Sequence, residues 1–238
     1  MGFPRSVLSL AVIASTVLVA GCQSGGDTGT GATPEQRADQ STGKPAEPAE
    51  PAADIEVVET GAATGRMFAV VRNNESRVVV ARLEFHPVDA AGAPVSAIGD
   101  SAVVVLPASS TIPVAMDLGS KVPAKVTVDL KPTDAKVKPA GDGDFADKSA
   151  TLTGDGTRTP WQVKTSFTNG YAEAIENHFS VLICRDAASK VVAAVTWGFS
   201  AAPGETVTKD HDFQYGVMEI KGTPTKCEVF PRLAADFE

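Results

Sequence analysis

The run Val78-Val-Val-Ala-Arg-Leu-Glu-Phe85 and the segment Asp89-Ala-Ala-Gly92 that follows it decide the fold class of this chain. The run is rich in β-branched and apolar residues, which are typical of strands, whereas Asp and Gly are typical of turns. Beyond Ile55, short runs rich in Val, Ile, Thr and Phe continue to alternate with turns of Gly, Pro, Asn and Asp. Since no stretch sustains a helical period of about 3.6 residues, the pattern is typical of an all-β sandwich or barrel, and we predict the sandwich.

This decisive stretch recurs as His178-Phe-Ser-Val-Leu-Ile183 followed by Asp186-Ala-Ala-Ser189. In each copy a strand-like run ending in Asn comes first, and a chain-breaking Pro and a Val-rich closing run come later. The shared order and near-equal spacing indicate an internal duplication, although β proteins also resemble one another through common turn chemistry. The matching landmarks are Asn73 and Asn169, Asp89 and Asp186, Pro107 and Pro203, and the closing runs 123–128 and 224–229.

The duplication predicts two tandem β-sandwich modules, the first at 55–131 and the second at 158–232. Asn73 and Asn169 are expected to hydrogen-bond the turns that follow their strands. Alternate residues of a strand point to the same face of its sheet, so each module should show alternating core residues. Those expected to face the core are Leu83 and Phe85, and then Phe179, Val181 and Ile183.

The segment 132–157 between the copies is rich in Lys, Pro, Gly and Asp and is predicted to be a linker. Its composition allows one short strand near Ala150–Thr153. Asp142, Asp144 and Asp147 have the spacing of part of a calcium loop, but the closing Glu of such a loop is missing. A solvated acidic linker is therefore the favoured interpretation. Residues 233–238 are predicted to be a tail.

The start of the chain has the layout of an exported lipoprotein. Arg5 provides a positive start, and the apolar run from Val7 to Val19 is shorter than the roughly 20 residues that span a bilayer. Val19-Ala-Gly-Cys22 matches the lipobox of bacterial lipoproteins, in which small residues precede a Cys that accepts diacylglycerol. This resemblance implies a signal peptide over 1–21 and lipidation of Cys22. The alternatives are an ordinary signal peptide and an N-terminal membrane helix with a chance Cys.

Residues 23–53 carry no aliphatic side chain larger than that of Ala, and such a segment cannot bury enough apolar area to fold. We therefore predict a flexible lipidated tether over 22–54 that holds the folded part away from the membrane. The expected location is the bacterial cell envelope, on the outer or the cytoplasmic membrane and facing away from the cytosol. Gln23 replaces the Asp that retains many lipoproteins at an inner membrane, which favours the outer one.

The charge of the chain argues against several classes of partner. It carries 21 Lys and Arg and 29 Asp and Glu, a net charge of −8. An acidic chain lacks the basic clusters that provide affinity for nucleic acid or for anionic lipid. Nucleic acid is therefore not an expected partner, and contact with the membrane is expected through the covalent lipid on Cys22. No cofactor is expected.

Cys184 and Cys227 remain once Cys22 is assigned to the lipid. Two cysteines outside the cytosol predict a disulfide bond. In the alignment of the two copies they occupy the positions of Pro87 and Val126, so the bridge is expected within the second module. It should join strands that a sandwich brings face to face. Two buried free thiols are the alternative.

His86, His178 and His211 show no metal-binding spacing such as His-x-x-x-His, so no metal site is predicted. No nucleophile elbow, phosphate loop or convincing carboxylate pair occurs either. Ordinary strand-surface histidines are therefore the favoured interpretation, and no catalytic residue is predicted. An enzyme with an unrecognised site is the alternative.

All Trp and Tyr residues of the chain lie in the second copy. Since aromatic side chains anchor interfaces, Tyr171, Trp197 and Tyr215 are candidates for a binding face. Core packing is the alternative and is favoured for Trp197 and for Trp161. Tyr171 lies in the turn that follows its strand and is the better candidate for an exposed side chain.

A strand ending in Asn, an aromatic-containing strand leading into Asp-x-x-Gly, and a Pro-Gly-Glu-like turn together resemble the small Ig-like modules of bacterial lipoproteins. The FxLYD module is one such family. The first copy is also similar to the YcfL-like lipoprotein family through Asn73, Phe85, 89–92 and 126–128. Both copies depart from the FxLYD pattern, because Glu84-Phe85-His86 and Leu182-Ile183-Cys184 stand in place of the Leu-Tyr before Asp. The resemblance implies two tandem Ig-like modules without a catalytic residue.

These observations predict a non-catalytic envelope lipoprotein that binds or scaffolds a partner, either an envelope protein or peptidoglycan. Unpaired strand edges of such modules could recruit a peptide by strand addition. A structural spacer that assembles with its own copies is the second interpretation. A wall-active hydrolase is the third, and it would need a pocket that joins His178 or His211 to a carboxylate.

Overall fold

The computed structural model describes residues 53–119, 121–138, 143–213, 219–220 and 222–236. The predicted signal peptide, Cys22 and nearly all of the predicted tether lie outside these residues, and so does Tyr215. No helix among the described residues has the length and apolarity that a membrane crossing requires. The strands of the described residues are β1 Ile55–Ala63, β2 Arg66–Asn73, β3 Val79–Val88, β4 Ser101–Leu106, β5 Thr111–Asp117, β6 Lys125–Pro132, β7 Lys136–Lys138, β8 Phe145–Thr153, β9 Trp161–Asn169, β10 Ile175–Arg185, β11 Val191–Ala201, β12 Thr206–Phe213, β13 Lys226–Pro231 and β14 Ala234–Asp236. The all-β prediction is confirmed.

Two antiparallel three-stranded sheets, ordered β1-β2-β5 and β4-β3-β6, form what we term the first sandwich. Successive side chains of a strand point to opposite faces, so alternate residues of the facing sheets meet in a core. Leu83 and Phe85 of β3 lie in this core with 0% and 2% exposure, as predicted. The core also contains Met67, Val71, Val104, Leu106, Val114 and Leu118.

The second sandwich repeats this arrangement strand for strand, with sheets ordered β8-β9-β12 and β11-β10-β13. Strands β1 to β6 therefore correspond in order to β8 to β13. The pairing registers equate single residues, because Pro87 pairs with Val126 as Cys184 pairs with Cys227. Asn169 pairs with Phe145, the first residue of β8, in the same way that Asn73 pairs with Ile55, the first residue of β1.

The turns after β2 and β9 make the same set of hydrogen bonds. The side-chain amide of Asn73 donates to three carbonyl oxygens at 2.9–3.1 Å, and that of Asn169 donates to three at 3.0–3.2 Å. Each Oδ1 also accepts the N–H of the residue two positions later, at 3.0 Å. The predicted turn chemistry is thus present in both copies. The accepting carbonyls belong to Arg77, Leu106 and Pro107 and to Glu173, Ala201 and Ala202.

Strand β8 lies within 132–157, so the prediction of a linker there is wrong. It begins before the short strand considered near Ala150–Thr153 and pairs with β9. Only Phe145, Ala150 and Leu152 point toward the core. The other residues of β8 are mostly polar, so the composition of the segment does not indicate a strand. Strands β7 and β14 also pair with each other, so part of the predicted linker and part of the predicted tail form a two-stranded ribbon.

The outer face of β2 and β5 packs against the outer face of β10. Phe68, Val70 and Ala115 supply one side of this contact, and Val181 and Ile183 supply the other. Every one of these side chains is buried. The two sandwiches therefore share an apolar interface, which we term the stacking interface.

The predicted alternation of core residues along β10 is wrong by one position. Val181 and Ile183 face the stacking interface, and Phe179 is 55% exposed. Leu182 and Cys184 point instead into the core of the second sandwich. Because both faces of β10 are buried, its sequence reads as a continuous apolar run in which the register is hidden.

Thr64, in the turn between β1 and β2, connects the two sandwiches by hydrogen bonds. Its Oγ1 donates to the carbonyl of Ala194 at 2.5 Å and accepts the N–H of the same residue at 2.9 Å. Its φ of 46° is uncommon for a β-branched residue. An ion pair of 2.7 Å between Arg185 and Glu59 lies at the same junction. The contact between the sandwiches is therefore specific in register as well as apolar.

Candidate binding cavity between the two sandwiches

A cavity of about 960 Å³ opens between the two sandwiches. Ligand sites commonly span about 300–1,000 Å³, so this volume lies at the upper end of the range. Residues around the β4–β5 turn line one side, and β7, β8 and β13 line the others. The larger apolar side chains of the lining include those of Val78, Val105, Ile112, Val229, Phe230 and Leu233.

The charged groups of the cavity largely compensate one another. Its described lining contains two lysines, Lys136 and Lys148, and two carboxylates, Asp144 and Glu228. Lys148 Nζ lies 3.2 Å from Asp144 Oδ2, and Glu228 Oε1 lies 2.9 Å from the Nζ of Lys226. Because the charges balance and the larger walls are apolar, the cavity suits an uncharged and mainly apolar occupant.

Strand β13 faces the cavity with its edge. It contributes every residue from Cys227 to Pro231 to the lining. Side chains alternate between the two faces of a strand, so a lining of consecutive residues places the strand edge along the cavity. In the sheet order β11-β10-β13, β13 is an edge strand among the residues that the structure describes. Its backbone is therefore part of the candidate site.

Tyr171 lines the cavity but is only 9% exposed, so the prediction of an exposed side chain is wrong. Its ring packs edge-on against Phe145, with a centroid distance of 5.4 Å. A Cβ at Gly143 would lie 2.5 Å from the Tyr171 ring, so glycine permits this close approach. Burial, together with the charge of Asp144, raises the pKa of the Tyr171 hydroxyl.

Trp197 is half-buried, does not line the cavity and packs against the core cluster that contains both cysteines. Its ring lies 4.4 Å from that of His211, centroid to centroid. His211 Nε2 is 3.2 Å from Thr165 Oγ1, and burial lowers the pKa of this histidine to about 4. Tyr171 and Trp197 therefore do not form a shared exposed face, and Tyr215 lies outside the described residues.

The predicted disulfide is present between Cys184 and Cys227. The two residues are directly paired neighbours on β10 and β13, with a Cα–Cα distance of 4.1 Å. The expectation that the bridge crosses between facing sheets is wrong, because both strands belong to one sheet. The bond fixes the register of β13 against β10, and Cys227 lies on the wall of the cavity.

The three histidines lie in separate environments. His178 is buried, and its Nδ1 and Nε2 lie 2.9 and 3.0 Å from the carbonyl oxygens of Glu176 and Lys138. His86 is exposed on β3, where its Nε2 is 3.3 Å from Asp129 Oδ2. None of the described lining residues of the cavity is a histidine.

One group of potential metal ligands occurs among the described residues, on the outer face of β3 and β6. Glu84, His86 and Asp129 place their ligand atoms within 4.8 Å of one another. Glu84 also pairs with Arg82 at 3.4 Å and with Lys131 at 4.0 Å. The carboxylate charges are thus balanced by neighbouring cations on an open surface, and we interpret the group as a solvated ion-pair network.

The sequence singled out a few residues that line the cavity, among them Tyr171, Cys227 and Asp144, but each for a separate reason and not as parts of one site. A cavity between two modules depends on how they stack, which strand patterns do not encode. One signal appears when the strand pairings extend the alignment of the copies to β1 and β8. Ala150 occupies the position of Thr60, because Ala150 pairs with Thr165 as Thr60 pairs with Ala69.

No protein-family model matches this chain, and none of the curated proteins matches it.

Proposed function

We propose that this chain is a lipid-anchored bacterial envelope protein that binds a partner, without catalysis, in the cavity between its sandwiches. The observation that carries the proposal is the cavity of about 960 Å³, with apolar walls and compensated charges. The lipobox ending at Cys22 and the tether over 22–54 support the location. The modules would then present this cavity to the space beside the membrane, toward an envelope protein or the cell wall.

Two features support a non-catalytic role over a wall hydrolase. The candidate acid–base groups His178 and His211 are engaged with a pair of backbone carbonyls and with Thr165, respectively. Neither belongs to the described lining of the cavity. General acid–base catalysis needs its side chains within hydrogen-bond reach of a bound substrate, and these two histidines do not have that position.

Site-specific photo-crosslinking in intact cells tests the binding role. A photoreactive amino acid replaces Thr111, which is exposed at the cavity, or Thr208, which is exposed on β12 away from it. We expect a discrete adduct from position 111 and none from 208, and mass spectrometry then identifies a protein or a glycan partner. Equal labelling at both positions, or none at 111, would refute the proposal.

The anchor has its own test. In cells that express the Cys22→Ser variant, the protein should lose its lipid mass and leave the membrane fraction, because no other anchor is predicted. Wild-type protein should carry the lipid on the N-terminal Cys22 of its mature form. An N-terminus that starts elsewhere, or an unlipidated Cys22, would contradict the anchor.

A further inference from the structure

We propose that the cavity receives its partner as an extended peptide that adds a strand to the free edge of β13. This inference rests on the proposed function and specifies the chemistry of the partner. In strand addition, main-chain hydrogen bonds supply affinity, and pockets for alternate side chains supply specificity. Its basis is the backbone of β13 and a difference between the two copies.

The register of the disulfide pair gives the direction of the β13 peptide groups. In antiparallel sheets, pairs with short Cα–Cα distances, of about 4.5 Å, are the non-hydrogen-bonded ones. The Cα–Cα distance between Cys184 and Cys227 is 4.1 Å, so the N–H and C=O of Cys227 point away from β10. The same holds two residues later for Val229. Both residues line the cavity.

In the first sandwich, the equivalent edge is closed by a side chain. Thr60 on β1 donates its hydroxyl to the carbonyl of Val126 at 2.8 Å. Val126 corresponds to Cys227, and Thr60 corresponds to Ala150. Ala150 cannot donate such a bond, and it lines the cavity beside Cys227. The second copy therefore lacks the hydroxyl that caps this carbonyl in the first.

The surroundings of this edge define the peptide that fits. The walls opposite β13 include Val105 and Ile112, and the lysines and carboxylates of the lining occur in equal number. An uncharged segment with apolar side chains at alternate positions matches these walls. Pro231 ends the edge, because it has no N–H to offer. The site thus suits a short extended segment rather than a long strand.

The test uses the full-length lipidated protein in phospholipid nanodiscs. The probe is a mixture of capped octapeptides in which Val, Ile, Leu or Phe alternates with Ser or Thr. Peptides retained by the protein are identified by mass spectrometry, and the affinity of the best one is measured by fluorescence anisotropy. Two versions of it are N-methylated on alternate peptide nitrogens, one version for each register. Only one edge of an added strand pairs, so one version should lose binding and the other should keep it.

Two substitutions at one position test the carbonyl of Cys227. Ala150→Thr restores the capping hydroxyl of the first copy, whereas Ala150→Val has nearly the same shape without it. We expect Ala150→Thr to weaken the peptide about fivefold, the factor that corresponds to one net hydrogen bond of about 1 kcal/mol. Ala150→Val should stay within about twofold of wild type. Far-ultraviolet circular dichroism and thermal unfolding check that both variants fold.

The outcomes separate this inference from the proposed function. Strand addition is overturned if no peptide is retained, if both methylated versions bind equally, or if the Thr and Val variants weaken binding alike. A discrete adduct at position 111 in cells would then still support a binding role, with another kind of partner. Absence of that adduct would overturn both proposals.

Discussion

At the scale of single residues, the two sandwiches differ in the polarity of one part of their cores. Thr165 and His211 of the second sandwich stand where the first has Ala69 and Met116. The imidazole of His211 packs on Trp197 and lies within hydrogen-bond distance of Thr165. Burial disfavours its charged form and lowers its pKa from 6.5 to about 4.

This histidine should make the stability of the protein depend on pH. Between about pH 6.5 and pH 4 the unfolded chain takes up a proton at His211 that the folded chain does not bind. The free energy of unfolding therefore falls as the pH falls through this window, by at most about 3 kcal/mol from this group. The contribution is fully present above pH 6.5.

The His211→Met variant isolates this effect, because it installs the non-titrating residue found at the equivalent position of the first sandwich. Urea unfolding at several pH values between 7 and 4 should show a steeper loss for wild type than for the variant. All other titratable groups are the same in the two proteins, so the difference between the two pH profiles reports on His211. Parallel pH profiles would show that His211 does not titrate in this way.

Local turn chemistry was readable from the sequence because it depends on few neighbours. Asn73 and Asn169 bond the turns beside them in the predicted way. The burial of Tyr171 could not be predicted from the sequence. It depends on β8, a strand that the composition does not indicate, and on the close approach of Gly143. Tertiary contacts of this kind have no signal in the residues next to Tyr171.

At the scale of strands, register was predictable where one face of a strand is exposed and unpredictable where both are buried. Strand β3 alternates clearly, because the partly exposed Glu84 lies between the buried Leu83 and Phe85, and the exposed His86 follows them. Strand β10 is buried on both sides over 180–184, so its pattern does not distinguish the two faces. The pairing of Cys184 with Cys227 was predictable because only these two cysteines remain once Cys22 is assigned to the lipid, whereas the pairing of their strands within one sheet was not.

The disulfide should stabilise the second sandwich by holding β13 in register with β10. The two cysteines are separated by 43 residues, and closing a loop of this length predicts about 4 kcal/mol from restriction of the unfolded chain. We expect the Cys184→Ala, Cys227→Val double variant to lose about 2–4 kcal/mol of unfolding free energy in guanidinium titrations. Reductant should destabilise wild type similarly and leave the variant unchanged. A loss below about 1 kcal/mol would contradict this role.

At the scale of the whole molecule, each sandwich has one apolar outer face and one polar outer face. The faces that form the stacking interface are apolar, whereas their equivalents at the two ends of the molecule are polar. Stacking by this interface therefore stops at two sandwiches, which argues against a filament built from the same contact. The equivalent pairs are Phe68 and Lys164, Val70 and Ser166, Ala115 and Asp210, Val181 and Glu84, Ile183 and His86, and Phe230 and Asp129.

The Phe68→Lys, Val70→Ser double variant should uncouple the two sandwiches. It gives β2 the polar side chains that β9 carries on its outer face. It also places an unpaired charge against Val181 and Ile183, which is unfavourable in an apolar contact. We expect the single thermal transition of wild type to split into two, and the radius of gyration in small-angle scattering to rise. The cavity should lose its binding, because its walls come from both sandwiches. Lys164→Ala on the solvent face of β9 is the matched control and should change stability by less than about 0.5 kcal/mol. One unchanged transition in the double variant would mean that the stacking interface does not couple the folding of the two sandwiches.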